Sequence, residues 1–195
     1  MKPFEDATPL LDAPDALRDH ASEHGYLLLR GLLARDAVLD VAETLGQVMA
    51  RHGWIEPNRP VGVARADMTK RCVEPQPPFM RVFYEQLSVR ALHALKSDPN
   101  ILRVFESLFA RTPLCVPHCV MRLAFPGMDE YATPAHQDYV HFEGSTQNWA
   151  AWIPFTSIDE RSGGLAVASG SPHSVAFDMR PTLGAGQMVI DADLS

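Results

Sequence analysis

"TPLCVPHCVMRLAFPGMDEYATPAHQDYVHFEG", residues 112–144, is where the chain changes texture. Ahead of it, apolar residues recur at intervals of three and four. From Thr112 on, short apolar runs are separated by Gly, Pro and Asp, the punctuation of strands joined by turns. This reading predicts strands at 114–124, 136–142, 148–156, 165–168 and 188–191. The turns between them are "FPGMDEYATP", "EGST", "DERSGG" and "SGSP".

The region before Thr112 reads as helices. "DALRDHASEHGYLLLRGLL" predicts a helix over 15–24, stopped by Gly25, and a short strand over 26–30. In "ARDAVLDVAETLGQVMARHG", Val38, Val41, Ala42, Leu45, Val48 and Met49 form one stripe of a helix closing at Gly53. Residues 54–83 are rich in proline and read as a long loop that serves as a lid or substrate wall. Residues 84–110 read as helical, broken at "SDPN", where Ser97 or Asp98 caps the second piece. A helical front over 1–111 and a β core over 112–195 make one α+β domain, with helices packed outside antiparallel strands.

With 195 residues, 46% of them hydrophobic, the chain can bury one sizeable core. A net charge of -7 with no block of like charges gives no attraction for nucleic acid or anionic lipid. The densest basic stretch, from Arg51 to Arg71, is interrupted by Glu56 and Asp67 and reads as a solvated face. No run approaches the roughly 18 apolar residues of a membrane span. The start "MKPFEDATPL" lacks the apolar core of a signal peptide. Three cysteines without CxxC spacing point to a reduced, cytoplasmic setting. Cys115 and Cys119 flank His118 as a metal cluster would, but small apolar fillers of a buried strand read better.

Within the opening stretch, His136-Gln137-Asp138 carries the chemistry. On a strand, residues two apart share a face, so this imidazole and this carboxylate can converge on one ion. With one more imidazole they would make the 2-His-1-carboxylate set that leaves open positions on non-haem Fe(II). His141 and Glu143 fall on the opposite face and read as distractors. The triplet alone is weak, since average residue usage gives one by chance in about one chain in four of this length. The plain alternative is an exposed histidine beside a turn aspartate.

The wider order of motifs adds to this. "HQDY", then "WAAWIPF", then "DERSGGLAVASGS" resembles the phytanoyl-CoA dioxygenase family of Fe(II)- and 2-oxoglutarate-dependent oxygenases. "HGYLLLRGLLARDAVLDVAETL" is similar to the N-terminal strand and helix of that family. The resemblance covers 17–171 and implies a double-stranded β-helix, or jelly roll, with iron at its mouth. It implies His136 and Asp138 as metal ligands and Trp152 beside 2-oxoglutarate. It also implies a cosubstrate contact from the strand that carries His118. In halogenating relatives a small residue replaces the carboxylate, so Asp138 favours hydroxylation. The substrate implied is a small molecule of unspecified identity.

Two departures stand out. Pro172 separates "GS" from His173 where the family has Gly-Ser-His. The family's second histidine ligand and its 2-oxoglutarate-binding basic residue come many tens of residues after HxD. Here no histidine follows His173, and Arg180 is the last basic residue. The expectation is a roll that continues past Ser195. His173 as a substitute ligand is the lesser possibility, and a non-catalytic jelly-roll binding or interaction protein is the alternative reading.

Overall fold

The computed structural model describes residues 2–128, 131–139, 145, 147–159, 162–168, 178–181 and 188–190. Five α-helices account for most of the regular structure: α1 (Pro14–His24), α2 (Arg35–Arg51), α3 (Pro77–Leu87), α4 (Arg90–Leu95) and α5 (Pro99–Phe109). One antiparallel pair, β1 (Met179–Pro181) with β2 (Met188–Ile190), is the regular sheet among the described residues.

Local chemistry explains the helix ends. Pro14, Pro77 and Pro99 open α1, α3 and α5, where a missing N–H costs nothing and a fixed φ favours the first turn. Asp98 caps α5, its carboxylate accepting from the Asn100 N–H at 2.8 Å. Gly25 ends α1 in the left-handed region at φ 77°, a conformation cheap only for glycine. The strand expected over 26–30 reduces to one parallel bridge, Leu28 with Asp6, so its partner is the N-terminal segment.

The helix stripe read from the sequence is the core of α2. Val41, Ala42, Leu45 and Val48 are buried, and two clusters form around them. One joins Val48 to Trp54, Cys72, Phe79, Val82 and Phe125. The other joins Val41 and Leu45 to Leu92, Leu95 and Met121. Polar contacts tie α3 to α2. Buried Gln86 donates to the Leu45 carbonyl at 3.1 Å, while Glu85 accepts from Arg51 at 2.5 Å and lies 2.6 Å from His52 Nε2. On the other side, α1 packs on α5, and Arg18 donates to the Ser107 carbonyl at 2.7 Å.

Residues 54–83, expected to be one irregular lid, divide in two. The first part folds back on α2: Ile55 bridges Ala66, and the Asp67 N–H donates to the Trp54 carbonyl at 2.8 Å. It docks where α2 has no side chain, since a Cβ on Gly46 would come within 2.9 Å of the Val61 Cβ. The second part, from Pro77, is already α3. Prolines in such a stretch suggest a loop, but at a helix start they serve as openers.

Among the described residues, the strand expected over 188–191 is present as 188–190, with Asp191 outside them. The described parts of 114–124, 136–142, 148–156 and 165–168 carry no ladder. Their side chains nonetheless alternate as strands do. Cys119, Met121, Leu123 and Phe125 turn inward, while His118, Val120, Arg122 and Ala124 are exposed. Likewise Ile153 and Phe155 turn inward, with Trp152, Pro154 and Thr156 exposed. A period-two pattern fixes which side chains face the core, whereas a ladder also needs a neighbouring strand.

Candidate functional site

The segment 118–125 is held from below. Phe125 lies 5.0 Å from Trp54 between ring centroids, and Met121 sits in the second cluster with Cys119, Ile153 and Phe155 against it. Lys96 adds a bond to the Pro117 carbonyl at 2.8 Å. With one face fixed on the helices, the other presents His118, Val120 and Arg122 outward.

The HxD pair is brought together. The Pro134 carbonyl lies 2.8 Å from His136 Nδ1. A carbonyl can only accept, so Nδ1 carries the proton and the lone pair of the neutral ring falls on Nε2. Nε2 lies 3.4 Å from Asp138 Oδ1. Two atoms each about 2.1 Å from a shared ion, at angles between octahedral and tetrahedral, are about 3.0–3.4 Å apart. The pair therefore has the bite of a metal chelate. His136 is three-quarters buried and Asp138 half-exposed, so the carboxylate side is open.

The same approach also suits an ion pair: a charged His136 turns an Nε2–H toward Asp138, a proton that a bound metal would displace. The hydrogen bond with Asp138 raises the His136 pKa above its ordinary value, against the opposing effect of burial; the Pro134 carbonyl adds to the rise. The charge of Arg122 pulls the other way. Arg122 therefore lies close enough to His136 to act on it, from the exposed face that also carries His118.

The reason for convergence differs from the one expected. Asp138 lies in a turn rather than on a strand, so the pair meets through that turn and the Pro134 anchor rather than through period-two alternation. His141, Glu143 and His173 lie outside the described residues. His118 is exposed, and Trp152 is 45% exposed, each on the outward side of its segment. Cys72 is buried and Cys119 half-buried, and burial pushes both thiols up, away from the thiolate a metal needs. Cys115 is exposed, so the filler reading fails for that residue.

A cavity of about 390 Å³ opens beside 69–81, lined by Trp54, Lys70, Arg71, Gln76 and Arg81 among others, and does not include His136. Two features escaped the sequence reading. One is Arg122, whose signal was its place on the His118 face. The other is a cluster of Glu5, His20 and His24, whose ligand atoms all lie within 4.8 Å of one another. Its signal was "HASEH", two histidines one helical turn apart. No helix among the described residues is long and apolar enough to cross a membrane.

No family model matches the chain. Over 179 residues it is 28% identical to the 1-deoxypentalenic acid 11-beta-hydroxylase of Streptomyces arenae, covering 86% of this chain and 58% of that protein. Over 181 residues it is 28% identical to the protein of the same name from Streptomyces exfoliatus, covering 88% of this chain and 59% of that protein. The chain thus spans about three fifths of the length of these curated relatives. Across most of its own length, with the HxD pair inside that length, it is similar to hydroxylases.

Proposed function

We propose that this protein is an Fe(II)- and 2-oxoglutarate-dependent oxygenase that hydroxylates an unactivated carbon of a small molecule. The observation that carries the reading is the 3.4 Å approach of His136 Nε2 to Asp138 Oδ1, with Nδ1 tied to Pro134. Hydroxylase relatives support the reaction type, and their printed names support a small organic acid as the class of substrate. Residues 112–195 would belong to a jelly roll with the helices packed outside it. The inward and outward alternation at 118–125 and 152–156 supports that placement.

His136 and Asp138 would hold the iron. When bound, Fe(II) with 2-oxoglutarate would activate O2, one oxygen atom ending in succinate as CO2 is released and the other in the hydroxyl formed at the substrate's C–H bond. The chain's own share is geometry. Pro134 keeps the imidazole in the ligating tautomer, and Asp138 supplies a carboxylate where a halogenating relative would have a small residue. The outward face of His118 and Arg122, together with Trp152, would hold the cosubstrate, Arg122 offering the charge an anionic carboxylate needs.

The test is anaerobic titration of the whole gene product with Fe(II) and 2-oxoglutarate, read by the weak visible charge-transfer band of the chelate. The band is expected in the native protein. His136→Ala and Asp138→Ala should each weaken iron binding by more than the about 10–100-fold that follows loss of an outer hydrogen-bond partner. Absence of the band, or unchanged iron affinity in both variants, overturns the reading and leaves the pair as a structural contact in a binding protein. Succinate formed in step with oxygen uptake separates the two outcomes a second way.

A further inference from the structure

A second group of metal-ligating side chains lies on α1 and the N-terminal segment. His20 and His24 are one turn apart, so their rings share a helix face, with centroids 4.3 Å apart. The third donor comes from a different part of the chain. Asp6 bridges Leu28, and the Ala7 N–H donates to the Leu28 carbonyl at 2.9 Å, laying the N-terminal segment beside the residues that follow α1. The Glu5 N–H then donates to the Tyr26 hydroxyl at 3.0 Å, and Phe4 packs its ring on Tyr26 at 4.6 Å. These contacts place the Glu5 carboxylate over the two imidazoles, 3.9 Å from His24 Nε2.

Two observations say that the cluster lacks something. Nε2 of His20 is buried and has no hydrogen-bond partner among the described residues, an uncommon state for a buried ring nitrogen. The three ligand atoms lie within 4.8 Å of one another without a bond that joins all three. Donors on one tetrahedral ion are about 3.4 Å apart, so the group needs to close by about an ångström. The Glu5 side chain is 69% exposed and has the freedom to do so. Tyr26 closes one side, its ring 6.1 Å from His20 and 5.7 Å from His24.

The donor set selects the ion. Two imidazoles and one carboxylate suit a borderline divalent transition ion, whereas Mg²⁺ and Ca²⁺ want oxygen and Cu(I) wants sulfur. We propose that Glu5, His20 and His24 form a Zn(II) site, with water as the fourth ligand, that staples the N-terminal segment to α1. It involves none of the residues of the oxygenase site and stands whether or not that reading does.

The experiment removes the other candidate first. In a His136→Ala/Asp138→Ala background, Zn(II) is titrated against a chromophoric chelator, Co(II) is used as a spectroscopic substitute, and thermal unfolding is followed with and without Zn(II). One Zn(II) per chain is expected, with the visible bands of tetrahedral Co(II) and a higher Tm in the presence of metal. Glu5→Gln should lower affinity about 10–100-fold, and His24→Ala should remove the Co(II) bands and the Tm shift. Glu5, with its side chain 69% exposed, is the accessible member of the cluster, so Glu5→Gln keeps the test independent of whether His20→Ala or His24→Ala folds. No Zn(II) retained at micromolar free metal, or the same stoichiometry and affinity in both variants, overturns the proposal. No activity is read, so failure here is distinct from failure of the oxygenase reading.

Discussion

The described residues of the two halves of this chain obey the same hydrophobic pattern rules and arrive at different degrees of closure. Among the described residues, fifteen of the seventeen buried apolar side chains lie before Thr112, and only Met121 and Phe125 lie after it. Exposure runs the other way. Leu114, Val116, Val120, Tyr131, Trp152, Ile158 and Leu165 are exposed large hydrophobics from the second half, against Leu39, Val63, Met68 and Tyr84 from the first. A helix satisfies its backbone within itself and needs only one neighbour for its apolar stripe. A strand needs partners for its edges and cover for its faces. Segments 118–125 and 152–156 have one face on the helices, and their outward faces still carry Val120 and Trp152. Apolar side chains on both faces are what a strand between two layers shows, which is the arrangement the proposed roll would supply.

The largest expected effect tests this contrast directly. Trp54 is 4% exposed between Phe79 and Phe125, so Trp54→Ala should cost about 3–5 kcal/mol of stability, measured by urea unfolding of this chain. Trp152 is 45% exposed, and Trp152→Ala should cost about 1 kcal/mol or less. Equal costs would break the comparison, because they would mean that the outward face of 152–156 is covered as well as the inward face.

A middle-sized effect sharpens the point from inside the first half. At Gly46 two terms compete. Alanine is favoured over glycine in a helix interior by about 1 kcal/mol, but its Cβ would sit 2.9 Å from the Val61 Cβ. Overpacking of this kind costs about 1–3 kcal/mol, so Gly46→Ala should be neutral to destabilising where propensity alone says stabilising. Val61→Gly in the same chain should restore the gain. A double-mutant cycle reads the coupling between the two sites. Purely additive values would show that the 54–67 excursion does not rest on α2.

What could be read from the sequence follows the same division. The α2 stripe and the Asp98 cap were legible because both are local: a period of 3.6 and a side chain two residues from the N–H it accepts from. The start of α3 was not, because Pro77 and Pro78 signal a loop or a helix opening with the same residue type. His136 and Asp138 were legible as a pair, but the turn that joins them was not, since the Pro134 carbonyl that orients the ring is a backbone group with no sequence signature. Glu5 was missed as a neighbour of His20 and His24 because the bridge between Asp6 and Leu28 that delivers it is non-local.

The smallest effect concerns the polar seam of the closed half. Glu85 on α3 accepts from Arg51 and His52 at the end of α2, and these bonds, that of Arg51 first, hold its carboxyl below the ordinary value of 4.5. The group is at the surface, so screening by water and salt keeps its contribution small. The sign is nonetheless fixed. A carboxyl whose folded pKa is depressed adds stability above its unfolded pKa and loses it as pH falls through the folded value. The gap in Tm between the native chain and Glu85→Gln should therefore be level from neutral pH down to about pH 5, then shrink on further acidification. If added salt narrows the neutral-pH gap and acid closes it, the seam between α2 and α3 is electrostatic. A gap that survives both would make Glu85 a packing residue, and the closure of the helical half would then owe nothing to this seam.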